Sequence, residues 1–307
     1  MKLKITLLMM CATLISLEAL TAVGQNHGKL NALVLQSDFG NKDAAVPSMK
    51  GVAVGVSPDI GIYDLTHEIP VFDIWEASLR LDQTAPYWPK GTVFVSVVDP
   101  GVGTTRKSVV LKTKTGHFFV TPDNGSLTAV AENLGIDAVR EIDEAVNRRK
   151  NSEKAYTFHG RDVYAYTGAR LAAGIISFEQ VGPKLPSQVL SIPYVQASFK
   201  AGKIYGNIPI LDIQFGNIWT NIDRQVFEKL NLTPGDRVDV TITHGEKLIK
   251  RHTIPYYRSF GSAAKGEPLL YLNSVNDVSL AINQGSYARN FGISSGSDWS
   301  IEISPHN

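Results

Sequence analysis

Apolar and polar residues follow two different patterns along this chain, one in each half. In the first half, short apolar runs predict strands at Ala32 to Gln36, Ile60 to Leu65 and Val93 to Val98. Between these strands, apolar residues at helical spacing predict helices over Val46 to Val56 and Ile74 to Leu81. Strands that alternate with helices are typical of an α/β domain with a mostly parallel sheet.

Further elements complete this half. Val109 to Leu111 and Phe118 to Val120 flank a glycine-containing turn, which predicts a hairpin. Ser126 is expected to cap a helix that runs through Asn133, and Asp73 to cap the helix that follows it. A last helix is predicted over Gly160 to Ala173.

The second half has the period of strands. Alternating segments lie at Ile204 to Ile213, Arg237 to Thr243, Lys247 to Ile254 and Leu269 to Leu272. They predict an all-β module in the form of a small barrel. A stretch with three prolines, Gly182 to Pro193, is the expected linker.

Length and composition fit two domains. A chain of 307 residues with 43% hydrophobic residues can bury a sizeable core. We place the α/β catalytic domain at residues 28–192 and the β-barrel domain at 193–307. The net charge of +1 and the absence of a Lys/Arg cluster give no support for nucleic acid as a partner.

The amino terminus has the layout of a secretory signal. Lys2 and Lys4 precede the apolar run Ile5 to Leu17, and small residues follow. Thirteen residues are short for a membrane span. We predict a cleaved signal peptide over residues 1–24 and an exported protein that works in the periplasm or beyond. The alternative is an uncleaved amino-terminal anchor.

Candidate chemistry centres on the segments VVDPGVGTTR and TFHGRD, which contain Asp99, Arg106 and His159. Asp99 follows a strand predicted to be buried on both faces, where an open α/β sheet places its functional groups. A carboxylate beside an Arg and a His can position and deprotonate a water molecule. The alternative is structural, since an Asp before Pro-Gly often forms a turn with its own backbone.

Polar turns of this kind recur. Five of them follow one another along the chain, most at the end of an apolar run, and they indicate one converging site. They are SDFG from Ser37, VVDPG from Val97, TPDNG from Thr121, FHGRD from Phe158 and DIQFGN from Asp212.

In this order and spacing, the motifs resemble those of the S-adenosyl-L-methionine (SAM) hydroxide adenosyltransferases, relatives of the fluorinating and chlorinating enzymes. The resemblance covers roughly Ala32 to Gly296. It implies an α/β domain, a C-terminal β-barrel, and a homotrimer whose sites lie between one subunit's N-terminal domain and its neighbour's C-terminal domain. It also implies cofactor-free hydrolysis of SAM to adenosine and methionine, by in-line attack of hydroxide on the ribose carbon bearing the sulfonium.

The resemblance assigns a catalytic triad to Asp99, Arg106 and His159, and it leaves open whether Asp99 or His159 is the general base. It places Asp38 at the ribose hydroxyls. Phe72 and Phe158 would form apolar walls for the sugar and the sulfonium, although each could equally be a core residue.

The same resemblance assigns substrate contacts to the second half of the chain. Asp212 would bind the methionine ammonium and Asn217 the edge of the adenine. Ser274 matches a residue near the amino-acid part. Val275 follows it, where the fluorinating enzyme has an arginine able to hold a carboxylate.

Halide chemistry is disfavoured by the same comparison. The halogenating enzymes resemble one another in having a tyrosine at the Asp99 position and no histidine at the His159 position. The fluorinating enzyme also has a serine where this chain has Gly160.

Two other functions stay open. The first is a metal-dependent nucleotide hydrolase, which the absence of a His-x-His or His-x-x-x-His pair and the nearby arginines oppose. Its ligands would come from Asp38, Asp99, Asp123, His159 and Asp162. The second is an exported nucleoside-binding protein that kept the adenosine site without turnover.

Overall fold

A seven-stranded mixed sheet forms the first half of the molecule. The computed structural model describes residues 32–306, so the predicted signal peptide over residues 1–24 lies outside the described residues. The strands are β1 (Ala32–Ser37), β2 (Gly61–Thr66), β3 (Val93–Val97), β4 (Ser108–Thr113), β5 (Phe118–Pro122), β6 (Ile136–Glu141) and β7 (Lys184–Leu185). Their order across the sheet is β2-β1-β3-β5-β4-β6-β7, with parallel pairing from β2 to β5 and antiparallel pairing beyond. The predicted α/β domain is confirmed.

Helices cover both faces of this sheet. They are α1 (Ala45–Val56), α2 (Ile74–Thr84), α3 (Thr128–Asn133), α4 (Glu144–Asn147), a π-helical segment (Gly160–Ala165) that continues into α5 (Tyr166–Ala172), and short 3₁₀ turns at Ala85–Tyr87 and Phe178–Val181. The Asp73 carboxylate accepts a hydrogen bond from the Glu76 amide and caps α2 as predicted. In this part of the chain no helix is long and apolar enough to cross a bilayer.

Two local predictions in this half are wrong. Ser126 does not cap α3, because Leu127 occupies the N-cap and the Ser126 hydroxyl is hydrogen-bonded to Thr121 and to the Pro122 carbonyl. The stretch expected to be only a linker contains β7, which pairs with β6 at the edge of the sheet.

The sheet core brings two sequence motifs to one edge. β1 and β3 are buried along their whole length and lie side by side in parallel, with Ser37 opposite Val97. Leu33, Leu35 and Val95 pack with α1 and α5 on one face, and α2 and α3 cover the other. Because both strands end at the same edge, the residues that follow them, including Asp38 and Asp99, are neighbours.

Antiparallel sheets form the second half, which confirms the all-β prediction. The strands are β8 (Ser198–Lys200), β9 (Lys203–Asn207), β10 (Ile210–Asp212), β11 (Asn217–Asp223), β12 (Arg237–His244), β13 (Lys247–Pro255), β14 (Pro268–Leu272), β15 (Asp277–Ile282) and β16 (Trp299–Pro305). Short helices are α6 (Arg224–Phe227) and α7 (Tyr287–Phe291), with 3₁₀ turns at Glu228–Leu230 and Phe260–Ser262. One sheet has the order β10-β11-β15-β14 and the other β13-β12-β16-β9-β8.

The two sheets share one hydrophobic core, and a bridge between Tyr256 and Leu270 links their edges. The predicted segment Ile204 to Ile213 is divided between β9 and β10. Pro209 lies at the break and has no amide hydrogen to donate to a strand neighbour, which explains the interruption.

Asp277 lies in a carboxylate-lined cleft between the two halves. Burial, with the charges of Asp223 and Asp82, raises the pKa of Asp277 to about 7. Because this lies above the ordinary value of 3.8, the folded state holds an extra proton and loses stability as the pH rises between the two values. We expect Asp277→Asn to raise the free energy of unfolding by about 1–3 kcal/mol at pH 8 and to change it little at pH 4, in urea titrations. An equal gain in the free energy of unfolding at pH 8 and at pH 4 would contradict this prediction. So would an equal gain at pH 8 from the exposed control Asp59→Asn.

Candidate active site

The predicted residues of the first half meet around one cavity. Asp38 follows β1, Asp99 follows β3, and Phe158 and His159 lead into the π-helical segment. These four residues and Phe72 all line a cavity of about 270 Å³ at the edge of the sheet. Three of the five polar turns, SDFG, VVDPG and FHGRD, therefore converge here, whereas TPDNG and DIQFGN do not line this cavity.

Asp99 and Arg106 form a buried ion pair beside this cavity. The Arg106 Nε donates to Asp99 Oδ1 and Oδ2 at 3.0 and 3.1 Å, and an Nη2 hydrogen bond to Oδ2 measures 2.5 Å. Nη1 donates to the Ser108 hydroxyl at 2.9 Å. The side chains are only 5% and 10% exposed, so the carboxylate and guanidinium hold each other in one orientation.

Arg106 also fixes the protonation state of His159. Its Nη2 lies 3.0 Å from His159 Nδ1. A guanidinium can only donate, so Nδ1 must accept and the neutral ring carries its hydrogen on Nε2. Burial, and to a smaller extent the charge of Arg106, lowers the pKa of His159. His159 is therefore a neutral imidazole with Nε2–H as its free donor.

Tyr164 and Ser108 complete the polar network, and the sequence interpretation missed both. The Tyr164 hydroxyl lies 3.1 Å from Ser108 Oγ and 3.4 Å from Asp99 Oδ2. Its ring contacts the Arg106 guanidinium at 5.6 Å, and burial raises the Tyr164 pKa. Tyr164 follows His159 by five residues, which is about one turn of a π-helix. A helical pattern alone would have suggested other neighbours.

Asp38 and Phe72 connect two loops at the cavity mouth. The Phe72 amide donates to Asp38 Oδ2 at 3.0 Å. Phe72 adopts a left-handed backbone with φ of 68°, which is strained for a residue with a side chain and is found preferentially at functional sites. Its side chain is exposed. Phe158 is partly buried against Phe39, and the Arg161 guanidinium stacks on its ring.

The acids proposed as metal ligands have other partners. Asp162 is fully buried and ion-paired with Arg149 and Arg161, so it is a structural carboxylate of this helix. Asp123 accepts a hydrogen bond from the Leu190 amide. Across residues 32–306, no three His, Cys, Asp or Glu side chains form a group suited to a metal ion.

The predicted residues of the second half line a different cavity. Asp212, Asn217 and Ser274 surround a space of about 720 Å³, together with Trp219 and Tyr271. Asn217 Nδ2 donates to Asp212 Oδ2 at 3.0 Å. The structure thus brings these three residues together, but it does not place them in the cavity of Asp99 and His159.

Gly160 is closely packed, so a side chain there would fit tightly. A Cβ atom there would lie 3.0 Å from Val97 Cγ1 and 3.3 Å from the Phe39 ring. A serine at this position would require these side chains to move by a few tenths of an ångström. This packing agrees with the sequence comparison that disfavours halide chemistry.

Comparison with known proteins identifies the family. Residues 33–182 match the SAM hydroxide adenosyltransferase N-terminal domain, and residues 206–300 match the C-terminal domain of the same family. The chain belongs to this family. The resemblance inferred from the five motifs is confirmed.

Individual relatives support the same family assignment. The chain is 36% identical to (R)-S-adenosyl-L-methionine hydrolase of Methanocaldococcus jannaschii over 74% of its own length and 81% of the relative. It is 27% identical to a fluorinase of Actinopolyspora mzabensis, over 86% and 94% of the two chains. The crystal structure of an uncharacterised conserved protein from Thermotoga maritima superposes with a TM-score of 0.81 at 34% identity, covering 89% of this chain and 99% of that one.

Proposed function

We propose that this family member hydrolyses SAM to adenosine and L-methionine. The observation that carries the proposal is the buried Asp99–Arg106–His159 network at the wall of a cavity that also contains Asp38. Relatives that are 31–36% identical are (R)-S-adenosyl-L-methionine hydrolases. The (R) configuration at sulfur is accordingly the first epimer to test.

The network supports different roles for Asp99 and His159 in activating water. Water lies between them, with His159 Nε2–H donating to its oxygen and Asp99 accepting its hydrogen bond. His159 Nδ1 is already occupied by Arg106, so Asp99 takes the proton. As the new C–O bond forms, the C–S bond breaks and its electron pair stays on sulfur, which leaves neutral methionine sulfur. A sulfonium leaves without acid assistance, so positioning and desolvation supply the catalysis.

The other predicted residues bind the substrate in this proposal. Asp38 accepts from the two ribose hydroxyls, while Phe72 and Phe158 contact the sugar and the sulfonium. Asp212 binds the ammonium group and Asn217 the adenine, with Ser274 beside the amino-acid part. No metal and no organic cofactor takes part.

We further propose a homotrimer in which one subunit's triad cavity faces its neighbour's C-terminal cavity. Two observations support it: the substrate contacts are split between separate cavities, and large apolar side chains at their mouths are exposed. Phe72 is 65% exposed and Phe215 66%. Light scattering should give the mass of three subunits. A fully active single subunit would contradict the assembly.

Export stays a proposal that rests on the amino-terminal sequence. Cleavage near Val23 to Gln25 would release the mature protein into the periplasm or beyond. Cell fractionation with amino-terminal sequencing tests it. A cytosolic protein that starts at Met1 would overturn export without affecting the chemistry.

Incubation of the purified protein with each SAM epimer tests the reaction. We expect equimolar adenosine and methionine by chromatography, unchanged by a chelator. Loss of activity with chelator would favour the metal-dependent hydrolase. Adenosine binding without consumption of either epimer would favour the nucleoside-binding protein.

A further inference from the structure

An arginine without a partner lies at the C-terminal cavity. Arg289 is exposed on α7 and lines this cavity, and within residues 32–306 its guanidinium has no hydrogen bond, ion pair or ring contact. Its neighbour in sequence is held firmly, because the Ala288 amide donates to the Gly216 carbonyl at 2.9 Å. Ser286 caps the helix by accepting from the Arg289 amide. The backbone that carries this free guanidinium is therefore fixed beside the turn that leads from Asp212 to Asn217.

The charges of the cavity match a zwitterion. Of the described residues that line it, only Asp212 and Arg289 are charged. They form no ion pair with each other. The remaining wall is largely aromatic and amide in character, including Trp219 and Tyr271. An acid and a base that line the same cavity without pairing with each other suit the ammonium and the carboxylate of an α-amino acid.

We propose that Arg289 binds the α-carboxylate of the substrate, which makes it a specificity-determining residue for the amino-acid part. The assignment rests on the proposed function, in which Asp212 binds the ammonium of the same group. It supplies the cation that the position after Ser274 lacks, since Val275 stands there. Sulfonium substrates with an intact carboxylate are then preferred over their decarboxylated counterparts.

Calorimetric binding of SAM and of decarboxylated SAM to the full-length protein tests the assignment. We expect Arg289→Ala to weaken SAM binding about ten- to a hundredfold and to leave decarboxylated SAM unchanged. KM for SAM should rise far more than kcat falls. Arg289→Lys keeps the charge without the bidentate geometry and should recover part of the affinity. Arg237→Ala, on β12 away from this cavity, is the matched control and should bind both ligands normally.

The outcomes separate the assignment from the proposed function. Equal weakening for both ligands, or none for either, overturns the carboxylate assignment. If the wild-type protein binds SAM in an Arg289-dependent way but releases no adenosine, the proposed hydrolysis fails and the assignment stands. If SAM does not bind at all, both fail.

Discussion

Asp99→Asn is expected to lower kcat for SAM hydrolysis by about a hundred- to ten-thousandfold, the usual cost of removing a general base. The amide has the size of the carboxylate, but it cannot accept the proton of water. Adenosine affinity should stay within about twofold, because Asp38 and Asn217 are the residues proposed to hold the nucleoside. Adenosine release by chromatography gives kcat, and calorimetry gives the adenosine dissociation constant.

Folding must be checked in the same experiment. Arg106 is only 10% exposed and would lose its anionic partner, a change that typically costs about 3–5 kcal/mol. Circular dichroism at the assay temperature shows whether the variant is folded. Asp38→Ala is the reciprocal control, in which adenosine affinity is expected to fall more than kcat. Near-normal turnover of folded Asp99→Asn would show that the triad assignment is wrong.

The sequence predicted the elements that place the triad because their patterns are local. β1 and β3 are apolar throughout, as expected for strands buried on both faces, and each ends in a polar turn. Parallel strands deliver such turns to one edge of the sheet. Asp38 and Asp99 could therefore be placed together from the pattern alone.

The residues that were missed depend on contacts between distant segments. Tyr164 reaches Asp99 only because the helix after His159 begins with π-helical turns, which no apolar spacing reveals. β7 has two residues and exists through its pairing with β6. Such pairings depend on tertiary packing, which overrides local preference.

The division of the substrate contacts between two cavities also depends on tertiary packing that local sequence patterns do not show. Periodicity places Asp212 and Asn217 on either side of a turn between β10 and β11, but it cannot say which cavity they face. The family resemblance supplied that part of the prediction. In the proposed trimer, closing one cavity onto another would shield the sulfonium from bulk water, so assembly and desolvation are one step.

The hydrogen-bond pattern also predicts how the rate depends on pH when His159 acts as a donor. If it donates through Nε2–H, the rate should fall when the pH drops far enough to protonate Nδ1, because a protonated Nδ1 would oppose the Arg106 donor. Burial lowers the pKa of His159, so this loss should begin below the ordinary value of 6.5, and the rate should stay level above neutrality. If His159 were the base, Nδ1 would first have to leave Arg106.

His159→Gln should therefore be at least about tenfold more active than His159→Ala, which we expect to lose about a hundred- to a thousandfold. The glutamine amide reaches the position of Nε2–H and keeps a donor toward the water, whereas alanine leaves none. His159→Asn is the matched control, because its shorter amide lies near Nδ1 and should be as inactive as alanine. The acid limb of the pH–rate profile should also move to lower pH in His159→Gln. Equal activity of the Gln and Ala variants would contradict the donor role.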